Sequence, residues 1–311
     1  KLNQVINTTL KDLEVKNGQL SITDNGGQYF VLQARIEAVI KSAFPELKNE
    51  SLPALQKHSN YTSKKNRFRR SRLYLPGNQA KLMLNAGIHN PDGIILDLED
   101  SVSPLEKNAA RLIVRNALIH IDFFNAERMV RINQGKAGIE DLKMIIPHNV
   151  HLILVPKVEE VQQLIDIDNQ IQLILNKVKY TKQPVFLMPI IESAKGLLNS
   201  VDIAKASPNN VAIAIGLEDY TADIGVERTN SGTESLFARS QIVNAAKAAG
   251  IQAIDTVFSD VNDETALRKS VIEAKSLGFD GKGCIHPRQI KPIHEEFSPS
   301  FTEINKAKDI I

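Results

Sequence analysis

Three short apolar runs in this chain end in charged side chains. They are Arg131 in Val130-Arg131-Ile132-Asn133, Glu192 in Met188-Pro189-Ile190-Ile191-Glu192, and Asp219 in Ala212-Ile213-Ala214-Ile215-Gly216-Leu217-Glu218-Asp219. Two carboxylates with no neighbouring His or Cys make a hard oxygen site, suited to Mg²⁺ or Mn²⁺ rather than Zn²⁺. Only two protein ligands would leave positions for water and substrate oxygens. An arginine in an apolar frame needs an anionic partner, and its planar fork suits a substrate carboxylate better than lysine would. Together the three read as a metal-assisted enzyme acting on an anionic substrate. Each also has a plainer role: an acid capping the next helix, or Arg131 paired with Asp97, Glu99 or Asp100.

Leu96-Asp97-Leu98-Glu99-Asp100 puts three acids within four residues at another run end. One could take a proton or hold a metal-bound water, while the others position Arg131. Glu218 beside Asp219 carries the same choice. His286 follows a further apolar run and could be a base, although a lone histidine there is more often structural. Cys284 reads as core rather than nucleophile. His89, His120 and His148 show no metal spacing, and no Gly-x-Ser-x-Gly elbow marks a serine hydrolase.

The elements that must position these residues alternate from Arg72 onward. Candidate strands are 73–75, 93–96, 129–133, 152–155, 185–191, 211–215, 251–256 and 281–285, with helical patterns such as 107–118, 158–174, 194–206, 236–249 and 263–277 between them. Alternation at a spacing of roughly 30 residues means parallel strands. Eight such units predict a closed (β/α)₈ barrel, whose strands all point their carboxyl ends, and hence these side chains, at one face. Glu192 and Asp219, 27 residues apart, are one β-α-β step from each other. No glycine-rich phosphate loop follows any strand, so a nucleotide cofactor is not indicated.

Residues 1–58 read as a small α+β domain that leans on a partner: a helix over Val5–Leu13, a strand over Gln19–Ile22, a turn at Asp24-Asn25-Gly26-Gly27, and an amphipathic helix with Leu32, Ile36, Val39, Ile40 and Ala43 on one face. Residues 59–69 read as a basic linker, and Lys64, Lys65, Arg67, Arg69, Arg70 and Arg72 could alternatively bind phosphate. A net charge of +2 argues against nucleic-acid and membrane partners. A single cysteine suits a reducing, cytoplasmic setting, and no apolar stretch reaches the roughly 20 residues of a bilayer helix. No signal peptide opens the chain. Its first residue is Lys1 rather than Met, which reads as a fragment or processed product.

Arg70-Ser71-Arg72-Leu73-Tyr74-Leu75-Pro76-Gly77-Asn78 and Ile95-Leu96-Asp97-Leu98-Glu99-Asp100-Ser101-Val102 closely resemble the opening of the citrate lyase beta subunit, in the HpcH/HpaI aldolase/citrate lyase superfamily. Val130–Asn133, Pro189–Ser193, Gly216–Tyr220, Ala253–Asp260 and Gly278–Lys282 are similar to later stretches of that family, in its order, over residues 70–311. Asp24–Gly27 followed by Leu32–Ala38 resembles the second half of the citrate lyase acyl carrier (gamma) subunit, so the chain looks like a carrier–lyase fusion.

The resemblance implies a TIM barrel that cleaves a citryl thioester on an acyl carrier to an acetyl thioester and oxaloacetate. It implies Mg²⁺ held by Glu192 and Asp219, a substrate carboxylate gripped by Arg131, and Arg72 meeting the substrate or the carrier's phosphate-bearing arm. Glu192 would also touch substrate. Glu99 and Asp100 would order metal-bound water and Arg131. The arm implied is phosphoribosyl-dephospho-CoA, or a CoA thioester serves as substrate. Other citrate lyase subunits and a homo-oligomer are the implied partners. The carrier family's attachment serine, in a Gly-Thr-Leu-Glu-Ser-Gly-Asp-like stretch, has no counterpart here, and the superfamily's C-terminal lid would lie beyond Ile311. Two alternatives stand beside this reading: a lyase or thioesterase acting on malyl-, citramalyl- or methylmalyl-CoA, and an inactive carrier-docking or assembly subunit.

Overall fold

The computed structural model describes residues 2–178, 184–229 and 231–310; the chain ends noted above, Lys1 and Ile311, lie outside them. Eight strands, β1 (Ser71–Pro76), β2 (Gly93–Asp97), β3 (Glu127–Arg131), β4 (Leu152–Val155), β5 (Phe186–Ile191), β6 (Ala212–Ile215), β7 (Gln252–Asp255) and β8 (Gly281–Cys284), pair in parallel in chain order. β8 closes on β1, giving the expected (β/α)₈ barrel. The strands are nearly continuous apolar runs because both of their faces are covered. Ile95, Met129, Leu154, Met188 and Ile254 fill the interior. The outward residues meet the surrounding helices in one large core.

Helices α1 (Leu2–Asp12) and α2 (Tyr29–Ala43) precede the barrel. Around it run α3 (Ala80–Met83), α4 (Lys107–His120), α5 (Gly135–Ile145), α6 (Val161–Lys177), α7 (Ala194–Leu198) and α8 (Ser200–Lys205). They are followed by α9 (Leu217–Asp223), α10 (Leu236–Ala249), α11 (Glu264–Leu277), α12 (Ile290–Phe297) and α13 (Phe301–Ile310). The single helix expected over 194–206 is broken at Asn199 into α7 and α8.

The amino-terminal segment differs from the α+β unit expected. Gln19–Ile22 forms no strand, since no neighbouring chain offers it a ladder. Leu20 and Ile22 instead pack on a small core of Val5, Leu13, Ile36 and Ile40. α2 lies between α1 and the barrel and so buries two faces. Ile36 and Ile40 meet the α1 side, while Phe30 and Ala34 join the barrel core. Val39, counted in the apolar face from its spacing, points outward at 58% exposure. Glu37 is fully buried and takes both forks of Arg115 from α4, at 3.0 and 2.7 Å. The segment thus leans on its own barrel.

Residues 59–69, expected as a basic linker, strap the amino-terminal end of the barrel. Arg69 is fully buried and forked onto Glu127 at the start of β3, at 2.6 and 2.8 Å, and reaches Gln252 of β7 at 2.8 Å. Arg67 donates to the carbonyls of Asp92 and Asn125, and the Tyr61 hydroxyl donates to that of Ala126. Gly281 makes this approach possible, because a Cβ there would stand 2.0 Å from the Arg69 carbonyl oxygen. Lys64 and Lys65 remain exposed. The guanidinium groups of this stretch are spent on carbonyls and carboxylates at strand starts, the opposite end of the barrel from the strand-end acids.

Candidate active site

At the carboxyl ends of the strands a cavity of about 380 Å³ opens, walled by Arg72, Tyr74, Asp100, Arg131, Glu192 and Asp219 among others. The β2–β3 register sets Asp97 opposite Arg131. Arg131 Nε and Nη2 donate to the two Asp97 carboxylate oxygens at 2.6 and 2.7 Å. Burial pushes the Asp97 carboxyl up, but the Arg131 hydrogen bonds and charge outweigh it and hold the group below the usual range. Arg131 Nη1 is left for Glu99 Oε2 at 3.1 Å and Asp100 Oδ2 at 3.6 Å, and the guanidinium stands 5.5 Å from the Tyr74 ring centre. The Asp97 ion pair therefore occupies one edge of the fork, and Nη1 on the other edge faces the Glu99 and Asp100 carboxylates. Glu99 is buried and does not wall the cavity; Asp100 does.

Glu192, at the end of β5, is 7% exposed and has no ion pair among the described residues. Its Oε2 accepts the Lys157 backbone N–H at 2.8 Å. Burial pushes its carboxyl up to about 7 against that bond, and the negative charges of Glu99 and Asp219 add to the rise. Gly216 makes room for it, since a Cβ there would stand 2.6 Å from Glu192 Oε1. Asp219 sits not at the strand end but in the first turn of α9, where the helix dipole favours an acid. It caps no backbone group and keeps 47% of its side chain exposed. Glu218 turns away to Arg228 and Ser259.

Arg72, on β1, lies inside the barrel under the cavity at 1% exposure. Its Nη1 meets Met188 Sδ at 3.1 Å and its Nη2 the Asp255 carbonyl at 3.4 Å, while Nε has no partner. No carboxylate neutralises it among the described residues, and burial lowers its affinity for the proton. Asp255 cannot do so because Lys282 Nζ holds it at 2.7 Å and Arg239 at 3.2 Å. A buried guanidinium left without an anion beneath a cavity is suited to receive one from a ligand.

A divalent cation fits these residues. Glu192 is a buried carboxylate without a cationic partner, Asp219 stands near enough to raise its proton affinity, and the donor set is all oxygen. Among the described residues no three His, Cys, Asp or Glu side chains form a closed cage. The fit is to an open site completed by water and substrate oxygens.

Spacing in the sequence did not single out Lys157, Tyr74 or Asp255. Lys157 follows β4 and puts its ammonium 3.3 Å from Glu99, 3.6 Å from Asp100 and 3.7 Å from Asp219. Its signal was there to find, as a lysine two residues past an apolar strand on the same barrel face. His286 caps the turn at Pro287–Gln289 by accepting the Arg288 N–H, the structural role. The Cys284 thiol is fully buried, and burial pushes it up to about 12.

Residues 70–287 match the family model described as HpcH/HpaI aldolase/citrate lyase. The chain is 40% identical over 247 residues to the citrate lyase subunit beta of Haemophilus influenzae, covering 79% of this chain and 85% of that one. It is 36% identical over 255 residues to the mitochondrial citramalyl-CoA lyase of Homo sapiens, covering 78% and 75%. Among solved structures, the citrate lyase beta subunit of M. tuberculosis complexed with oxaloacetate and magnesium superposes with a TM-score of 0.65. There the identity is 27%, and the match covers 76% of this chain and 100% of that chain.

Proposed function

The chain belongs to the HpcH/HpaI aldolase/citrate lyase family, and from that premise we propose that it is a Mg²⁺-dependent carbon–carbon lyase cleaving a citryl thioester to an acetyl thioester and oxaloacetate. The observation that carries this reading is the polarity of the cavity. Carboxylates Glu192, at the end of β5, and Asp219, in the first turn of α9, line it, as does Arg72 near the start of β1, a guanidinium with no neutralising carboxylate among the described residues. That arrangement matches a hydroxy acid whose oxygens meet a cation at one end and whose far carboxylate meets Arg72 at the other. The M. tuberculosis relative, solved with oxaloacetate and magnesium, supports it.

In this mechanism Glu192 and Asp219 would hold the Mg²⁺. When bound, the ion lowers the pKa of the substrate hydroxyl and offsets charge on the oxygen that becomes the ketone. Arg72, and Arg131 Nη1 in exchange for its contacts to Glu99 and Asp100, fix the two carboxylates of the oxaloacetate half, converting binding into orientation. Asp100, on the cavity wall, accepts the hydroxyl proton. Glu99, behind it, positions Arg131 and Lys157. As the proton leaves, the hydroxyl oxygen becomes the ketone and the bond to the acyl methylene breaks. That methylene then takes a proton, the equivalent of the one left on Asp100, to give the acetyl thioester and return Asp100 to its carboxylate form.

A second reading, cleavage of a malyl-, citramalyl- or methylmalyl-CoA, is favoured by the likeness to citramalyl-CoA lyase. It differs in the oxo acid released; two guanidinium groups at one cavity favour a dicarboxylate product. We place the thioester on a carrier arm or on CoA, with other citrate lyase subunits, a homo-oligomer and a cytoplasmic setting as the finer expectations. No helix among the described residues is long and apolar enough to cross a membrane.

The test is oxaloacetate release from a citryl thioester, coupled to malate dehydrogenase, with and without Mg²⁺, for wild type and Asp219→Ala. Malyl and citramalyl thioesters run alongside. Mg²⁺-dependent release lost in the variant supports the lyase; no turnover of any thioester would leave the assembly-subunit alternative.

A further inference from the structure

Lys157 stands in the left-handed backbone region, with φ of 51°. For a residue with a side chain this conformation is uncommon and marks a position held by its surroundings. Here it turns the Lys157 N–H onto Glu192 Oε2 at 2.8 Å. The same turn carries the ammonium among three carboxylates, two in the turn after β2 and one in the first turn of α9: Glu99 Oε1 at 3.3 Å, Asp100 Oδ1 at 3.6 Å and Asp219 Oδ2 at 3.7 Å. Arg131 attends only the far oxygens of Glu99 and Asp100. For Asp219, Lys157 is the only cation in ion-pair range among the described residues.

We propose that Lys157 is a built-in counter-cation of the metal locus: its ammonium holds the Glu99, Asp100 and Asp219 carboxylates together while no divalent ion is bound, and competes with that ion for Asp219. The inference rests on the metal reading given above and assigns Lys157 a positioning role. Carboxylates gathered beside one cavity repel one another, and a single positive charge at 3.3–3.7 Å offsets that repulsion without the short contacts that would lock it in place. A divalent cation binds carboxylate oxygens at about 2.1 Å and carries twice the charge, so it displaces such an ammonium. The lysine keeps the cluster preorganised and moderates its affinity for the metal. Its backbone holds one Glu192 oxygen in place whichever cation is present.

The test is Mn²⁺ binding to the metal-free full chain, read by the electron paramagnetic resonance of free Mn²⁺, for wild type, Lys157→Met and Lys157→Arg. Removing the competing charge is expected to tighten Mn²⁺ binding about tenfold in Lys157→Met, with Lys157→Arg staying close to wild type. Thermal melting in chelator and in saturating Mn²⁺ gives an independent readout. Lys157→Met should melt lower than wild type in chelator and show the larger Mn²⁺-induced rise. A merely structural lysine would instead weaken binding when removed. Wild-type binding with unchanged or weaker affinity in Lys157→Met overturns the inference alone. Absence of Mn²⁺ binding in wild type and both variants overturns the metal reading and this inference with it.

Discussion

Arg131 and Asp97 lie opposite each other in the β2–β3 register, and the Nε and Nη2 atoms of one meet both carboxylate oxygens of the other at 2.6 and 2.7 Å. Asp97 in turn accepts the backbone N–H groups of Glu99 and Ser101, so the acidic turn and the arginine are built as one piece. A lysine has no planar fork with which to hold both Asp97 oxygens and still present a donor in fixed geometry to a substrate. Arg131→Lys is expected to keep the fold and lose on the order of 100-fold in kcat/KM for thioester cleavage. Steady-state kinetics beside a circular dichroism melt checks this; near wild-type kcat/KM would remove Arg131 from substrate binding.

Arg72 should behave in the opposite sense to most buried arginines. With no carboxylate to leave unpaired, Arg72→Met is expected to match or exceed wild-type thermal stability. Its KM for the thioester should rise about 10- to 100-fold as one carboxylate contact is lost. A variant that melts well below wild type with KM unchanged would make Arg72 a structural residue.

Glu192→Gln keeps the shape of the side chain and its bond from Lys157 but removes the charge. Isothermal titration with Mg²⁺ should show affinity at least about tenfold weaker, as for the loss of one charged ligand. Equal affinity in wild type and variant would move the metal elsewhere.

His151 links the strap at residues 59–69 to pH. Its Nδ1 accepts the Arg128 backbone N–H at 3.2 Å, and its Nε2 faces both the Tyr61 carbonyl at 2.9 Å and Arg128 Nη2 at 2.6 Å, a cationic neighbour that favours the neutral ring. Burial, and then the Arg128 charge, lower its pKa to about 3. A histidine whose folded value lies below its unfolded one contributes full stability above the unfolded pKa near 6.5. That stability is lost as pH falls below 6.5, and the loss levels off only below the folded value. By pH 5 the loss for one such histidine is about 2 kcal/mol. His151→Gln should flatten the fall in melting temperature between pH 7 and pH 5; an identical pH profile would exclude His151 as its source.

Whether residues 1–58 form a separable domain turns on Glu37 and Arg115. Burial pushes Glu37 up, yet the hydrogen bonds and charge of Arg115, with Lys41, hold its carboxyl below the usual range. Arg115→Leu leaves that buried carboxylate with Lys41, at 2.8 Å, as its one remaining cation among the described residues, at a cost of about 3 kcal/mol. The double variant Glu37→Leu/Arg115→Leu should recover most of it. A single cooperative chemical denaturation in all three proteins fits one folding unit, whereas two transitions in wild type would support a separate amino-terminal domain.

The sequence by itself determined the barrel and the face on which the chemistry sits. Eight apolar runs at a regular spacing, interrupted by helical periodicity, fit a closed parallel barrel better than an open doubly wound sheet, and a charged residue at the end of such a run emerges at the carboxyl face. Arg131 and Glu192 were therefore legible as strand-end residues, Asp219 was read with them although it lies in the first turn of α9, and resemblance to family motifs from Arg70 to Lys282 implied their roles. Tertiary structure decided what each of them touches. Gln19–Ile22 alternates like a strand but has no partner strand, and Val39 has the spacing of a buried face yet points outward because α2 is packed on two sides. The arginines of residues 59–69 look like a solvated charge run, although Arg69 is buried against Glu127 at the floor of the barrel. Lys157 enters the acid cluster through one left-handed backbone turn. Arg72 stands without a carboxylate because Lys282 and Arg239 have already taken Asp255. Local propensity records what a residue prefers, whereas pairing of buried charge depends on which groups the closed barrel brings within a few ångströms.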